Sequence, residues 1–219
     1  MEFTGFEMFD DFNDQTMCED VKNKLKEKYN KEFEVLRIGN RIGGESTDRI
    51  DTYCVPIDNN KCIFTTTLDL DMEGKDIEKD DYYLKQVTTP IDSFFEEEFS
   101  KNGVGAICRT DTIKKNTLDE NLETQRFIDK YPNAKFLSMM AIEEIDKYKI
   151  QDIYSLLSST YENIKLNSII YVVEKETLEK LKEKLYGFPY IPKTLLEKNS
   201  NYKLYMKIED GQVLEIIGE

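Results

Sequence analysis

Apolar residues change their spacing along this chain in an order that sets its fold class. Met17, Val21, Leu25 and Tyr29 recur at i, i+4 behind Thr16 and Glu19, a capping-box pair, and predict an amphipathic helix ending near Asn30. Three strand-like runs follow, Phe33–Ile38, Ile50–Ile57 and Cys62–Leu70. The turn residues Asp58-Asn59-Asn60-Lys61 join the last two as a hairpin. A second helix runs from about Asp80 to Lys101, broken or kinked at Pro90.

Beyond that helix the pattern alternates. Val104–Thr110 reads as a strand, and Thr117 with Glu120 forms another capping box, opening a helix that stops before Pro132. Lys135–Ile142 is strand-like. Ile150–Ile164 is helical, with Ile153, Leu156, Leu157 and Ile164 inward. Ile169–Val173 is a buried strand, and Thr177–Tyr186 is a helix ended by Gly187 and Pro189. Tyr202–Ile208 and Gln212–Ile217 pair across Glu209-Asp210-Gly211. The chain is therefore expected to be α+β: an N-terminal α-β-β-β-α lobe over 15–101, then a mixed βαβαβαββ lobe, α/β in character, over 102–219. One continuous sheet is the competing arrangement. Residues 1–14 stand apart as an acidic arm in which Phe3, Phe6, Phe9 and Phe12 alternate with Glu2, Glu7, Asp10, Asp11 and Asp14. Docking of these aromatics onto the body is the plain reading, and a short amphipathic partner-binding segment is its rival.

The formal net charge is -14, from 44 acidic and 30 basic residues. Such an excess favours solubility and steering toward basic partners. It argues against nucleic-acid binding, which needs cations on phosphates, and against a basic membrane-adsorbing face. Histidine is absent. That excludes Ser-His-Asp and Cys-His nucleophile systems and histidine-based zinc sites, leaving carboxylate, lysine, tyrosine and thiol chemistry. Cys18, Cys54, Cys62 and Cys108 form no C-x-x-C pair, so they read as small buried residues; a Cys54–Cys62 disulfide is the minority reading. No apolar run approaches the roughly 20 residues of a membrane span.

Two strings invite a site. Asp69-Leu70-Asp71-Met72-Glu73-Gly74 approximates the start of a calcium loop, but its twelfth position is Asp80 rather than glutamate, and a strand end entering a glycine turn explains the same letters. Gly39-Asn40-Arg41-Ile42-Gly43-Gly44 lacks the Lys-Ser/Thr pair of a phosphate loop and reads as a strand exit or bulge. Acid density is uneven: between Asp69 and Glu98 eleven Asp/Glu stand against three lysines, a local balance of −8. A solvated helix face and turn account for such a run; a docking surface for a basic protein is the functional alternative.

The segment Lys24-Leu25-Lys26-Glu27-Lys28-Tyr29-Asn30-Lys31-Glu32-Phe33-Glu34-Val35, with Asp80-Asp81-Tyr82-Tyr83-Leu84 after the three strands, resembles a pattern in exported, often lipid-anchored, Gram-positive proteins of unknown function. Asn30 stands where that pattern carries Gly. The resemblance covers about residues 16–100. It implies an α+β fold, a location outside the membrane with an export signal or anchor trimmed, and a turn rather than a calcium site at Gly74. It supplies no catalytic residues. A cytoplasmic protein is the alternative.

The function expected is that of a non-enzymatic acidic binding protein, an immunity or inhibitor protein that neutralises a secreted toxin through a negatively charged surface. Its candidate partner-binding residues are Asp69, Asp71, Glu73, Asp76, Glu78, Asp80, Asp81, Glu96 and Glu97. The partner is a basic or mixed-charge protein, with no nucleic acid, metal, cofactor or membrane span. A small-ligand-binding lipoprotein domain and a carboxylate-dependent enzyme are the rival readings.

Overall fold

The computed structural model describes residues 15–42, 49–69, 76–113 and 118–216. The chain divides into two compact units, Met1–Tyr82 with Gly187–Pro189, and Tyr83–Tyr186 with Tyr190–Glu219. The expected division after Lys101 grouped the long helix with the first lobe. Its apolar face instead belongs to the core of the second.

In the first unit, helix α1 (Gln15–Tyr29) buries Met17, Val21 and Leu25. It starts at Gln15, one residue before Thr16. Asn30 ends it at φ 52°, its N–H donating to Lys26 O at 2.8 Å. This is the left-handed cap that glycine more often supplies, and asparagine tolerates it. Strands β1 (Phe33–Ile42), β2 (Arg49–Pro56), β3 (Phe64–Asp69) and β4 (Ile77–Asp80) form an antiparallel sheet in chain order. Cys54 faces both Val35 and Phe64 in register. Tyr29, Phe33, Phe64 and Tyr82 interlock with ring centroids 4.7 to 5.9 Å apart, a packing worth more than its area alone. Phe188 packs at a tilt against Tyr53, ring centroids 5.5 Å apart, with the Arg37 guanidinium over its ring at 4.6 Å.

β1 carries two register shifts, between Val35 and Arg37 and between Ile38 and Arg41. Gly39 sits at the second, where a Cβ would lie 2.9 Å from Asp51 O. Residues 39–42 of the Gly39–Gly44 string are thus bulged strand; residues 43–44 lie outside the described residues. The sequence pattern missed β4. Three of its four residues are charged, so it reads as a turn until β3 is seen to pair with it, Thr66 opposite Asp80.

Helix α2 (Tyr82–Lys101), one continuous helix through Pro90, belongs to the second unit in all but its first residue. Pro90 removes one backbone donor, yet Leu84, Val87, Ile91, Phe95 and Phe99 anchor the helix on both sides of it. Then come β5 (Ala106–Thr112), α3 (Thr124–Lys130), β6 (Phe136–Ile142), α4 (Lys147–Thr160), β7 (Leu166–Val172), α5 (Lys175–Lys184), α6 (Lys193–Asn199), β8 (Tyr202–Glu209) and β9 (Gln212–Ile216). The five strands pair in chain order, parallel at β6–β7 and antiparallel elsewhere. Alternation sends Cys108, Phe136, Met140, Ile170 and Met206 into the core under α2, α3 and α4. Ile107, Ala141 and Tyr171 face Leu178, Leu181 and Leu196 of α5 and α6 on the other side.

Three sequence expectations change here. α3 begins at Thr124, not near Thr117: Thr117 lies outside the described residues, and Glu120 pairs with Lys130 instead of capping a helix. Leu156 is 46% exposed rather than inward, because Tyr154 occupies the inner position beside Ile150, Ile153 and Leu157. Helix α6, only seven residues long and opened by Pro192, gives too few turns to show a period.

Candidate functional site

The acidic stretch was the sequence's best candidate, and α1 and β1–β4 place most of its described members. α1 presents Lys24 and Lys28 one turn apart, and these meet Asp76 at 2.6 Å and Asp80 at 2.7 Å. Asp80 has only 3% of its side chain exposed. Its Oδ1 also accepts from the Tyr29 hydroxyl at 2.6 Å and the Tyr82 N–H at 3.1 Å. Glu78 pairs with Arg49 at 2.8 Å, and Asp81 accepts the Thr65 N–H at 2.6 Å. These four carboxylates fasten β4 to its sheet and to α1.

The remaining candidates are dispersed. Asp69 ends β3, its N–H donating to Asp76 O at 3.0 Å. Asp71 and Glu73, the middle of the calcium-like string, lie outside the described residues. Glu96 and Glu97 sit on α2 in the second unit.

Glu96 belongs to a charged group that sequence reasoning overlooked. β5 is an outer strand, so alternate N–H and C=O groups along its free edge need partners. α2 supplies them. Glu96 Oε1 accepts the Cys108 N–H at 3.2 Å, and Lys85 Nζ donates to Thr110 O at 3.4 Å. Lys85 is 5% exposed and pairs with Asp111. Arg109 donates to Cys108 O at 2.6 Å and lies 3.6 Å from Glu96. Asp92 stands among them with its Oδ1 shut from solvent and without a hydrogen-bond partner. Burial pushes this carboxyl up to about 6, while Arg109, Thr110 and Lys85 pull it back. The available signal was the spacing of Lys85, Asp92 and Glu96, which puts all three on one helical stripe beside the apolar one.

A carboxyl poised near 6 can hold or release a proton at neutral pH, which is what a general acid–base group requires. The cysteines carry a different chemistry. Burial pushes the Cys54 thiol up to about 12 and the Cys108 thiol well above its ordinary value, so neither is a ready thiolate. None of the four cysteines is in a disulfide, Cys54 and Cys62 included. In the first unit a cavity of about 420 Å³ is lined by Lys26, Asn30, Lys31, Glu32, Ile57 and Asp58. Its charges are mutually paired, Lys26 with Glu32 at 2.5 Å and Lys31 with Asp58 at 2.9 Å. Among the described residues no group of three or more Cys, Asp or Glu could hold a metal ion, and no helix is long and apolar enough to cross a membrane.

No protein-family model matches the chain, and no curated protein matches it. A solved structure does: the crystal structure of a DUF5037 family protein from Ruminococcus gnavus ATCC 29149. It is 15% identical, with a TM-score of 0.67 over 90% of this chain and 94% of the other. The two share a fold. At that identity the likeness carries no residue roles and no activity.

Proposed function

We propose that this is a non-enzymatic binding protein for a basic or mixed-charge protein, in the manner of an immunity or inhibitor protein directed at a toxin. The observation that supports it is the asymmetry of charge. Residues 1–82 hold 21 acidic against 11 basic residues, a balance of −10 out of −14. Because Asp76, Glu78, Asp80 and Asp81 are engaged internally, the steering field comes from carboxylates elsewhere in this segment. Glu27 on α1 and Glu34 on β1 are exposed examples. A field of this kind raises the rate of encounter with a cationic partner and fades with salt.

The test is capture from the native organism at low and high salt, comparing the native chain with Glu27→Lys/Glu34→Lys. One stoichiometric partner, held at low salt and weakened by the double substitution, is the expected result. Nothing retained at low salt, or equal retention by the variant, overturns the reading. A carboxylate-dependent enzyme is the second reading, favoured by Asp92 alone. Any activity found should then vanish in Asp92→Asn while the fold is retained.

A further inference from the structure

Two sheets have four outer strands, and three of them are blocked. β1 is interrupted by two bulges. β4 is four residues long and mostly charged. The β5 edge is occupied by Glu96 and Lys85 from α2. These are recognised devices against strand addition. Among the described residues, β9 has none of them. It is five residues without proline or bulge, paired with β8 on one side and packed by α4.

The hairpin fixes which of its backbone groups are available. Asp210 at φ 52° and Gly211 at φ 74° form a two-residue turn with both central residues left-handed, so Glu209 and Gln212 are a hydrogen-bonded pair. Pair types alternate along an antiparallel ladder. Gln212, Leu214 and Ile216 therefore bond back to β8, while Val213 and Glu215 point their N–H and C=O groups outward. Between these two outward residues lies Leu214, a leucine left 44% exposed.

We infer that β9 pairs antiparallel with β9 of a second copy of this chain, about a twofold axis through Leu214. In that register Val213 and Glu215 of each copy exchange both hydrogen bonds with Glu215 and Val213 of the other. Leu214 meets its counterpart at the close, non-hydrogen-bonded position, which covers the exposed side chain. The two five-stranded sheets become one. The pairing is isologous and closed, so it stops at a dimer. Residues 83–219, which carry β9, hold 23 acidic against 19 basic residues, a balance of −4, so most of the repulsion between two copies comes from the −10 of residues 1–82 and is screened at moderate salt.

Sedimentation equilibrium of the full chain tests this at moderate salt. The native protein should show a concentration-dependent dimer mass. Val213→Pro removes two outward N–H donors per dimer and leaves the β8–β9 ladder intact, since that N–H does not face β8. At roughly fivefold per hydrogen bond, it should weaken association by about thirtyfold or more, with an unchanged melting curve at concentrations where the native chain is monomeric. Leu214→Lys keeps the backbone donors and sets two cations on the axis, so it should also yield monomers. A native chain that stays monomeric at every concentration overturns the inference. So does a Val213→Pro or Leu214→Lys variant that dimerises as well as the native protein.

Discussion

Asp92 is a carboxyl held in an environment that its type does not prefer. A carboxyl near 6 in the folded chain compares with 3.8 for the free group, so folding favours the protonated form. The stability tied to Asp92 is fully present below about pH 4 and is lost as pH rises through 6. The span corresponds to at most about 3 kcal/mol, and less in practice because the residue is only partly enclosed. Asp92→Asn removes the titration and should leave stability unchanged near pH 4. At pH 8 it should raise stability by about 1–3 kcal/mol, as read by urea unfolding at a series of pH values. A variant equally destabilised at both pH values would show that the ionised carboxylate is a structural acceptor. Gly39 is a second constrained residue. Gly39→Ala drives a methyl against Asp51 O and should cost about 1–3 kcal/mol in the same assay, because the obstacle is backbone.

At the level of elements, Asp80 holds β4, and its loss should be felt far beyond one strand. Asp80→Ala removes the acceptor for Lys28, Tyr29 and Tyr82 together. A cost of about 2–4 kcal/mol follows, with increased amide exchange across β4 and the end of α1. Asp80→Asn keeps an oxygen and should cost less. Equal tolerance of both substitutions would mean that β4 is held by its ladder alone.

The same strand shows why the sequence was only partly legible. Long segments declared themselves through period: α1, α4, β7 and the β8–β9 hairpin are close to where their apolar residues put them. β4 is held by pairing with β3, whose residues lie nine to fourteen positions back, and by ions from α1 about fifty positions away, and no local window contains the latter. α3 shows the reverse failure: Thr117 and Glu120 have the letters of a capping box, but Glu120 engages Lys130 ten residues on. The candidate site suffered likewise. Counting acids located a dense stretch, whereas only coordinates reveal that Asp76, Glu78, Asp80 and Asp81 are already answered.

For the whole molecule the relevant quantity is therefore the charge left after internal pairing. Ion pairs that are exposed contribute little each, commonly below about 1 kcal/mol, and salt weakens them further. Those on α5, Lys180 with Glu176 and Lys182 with Glu179, are of this kind. Against them stands the unbalanced excess of −14, of which −10 falls within residues 1–82. Like charges crowded on a compact body repel and lower its stability, and this repulsion is screened once the Debye length shrinks to about 8 Å or less. Salt thus acts in two directions, and the net sign reveals which population dominates. With Asp80, only 3% exposed, held partly by hydrogen bonds from Tyr29 and Tyr82, the repulsive excess should be the more salt-sensitive of the two. Raising sodium chloride from low ionic strength to about 0.5 M should lift the melting temperature by about 2–4 °C, the equivalent of about 1 kcal/mol at this size. A melting temperature that falls instead would assign the first 82 residues a self-compensated surface, and would remove the physical basis for steering a basic partner.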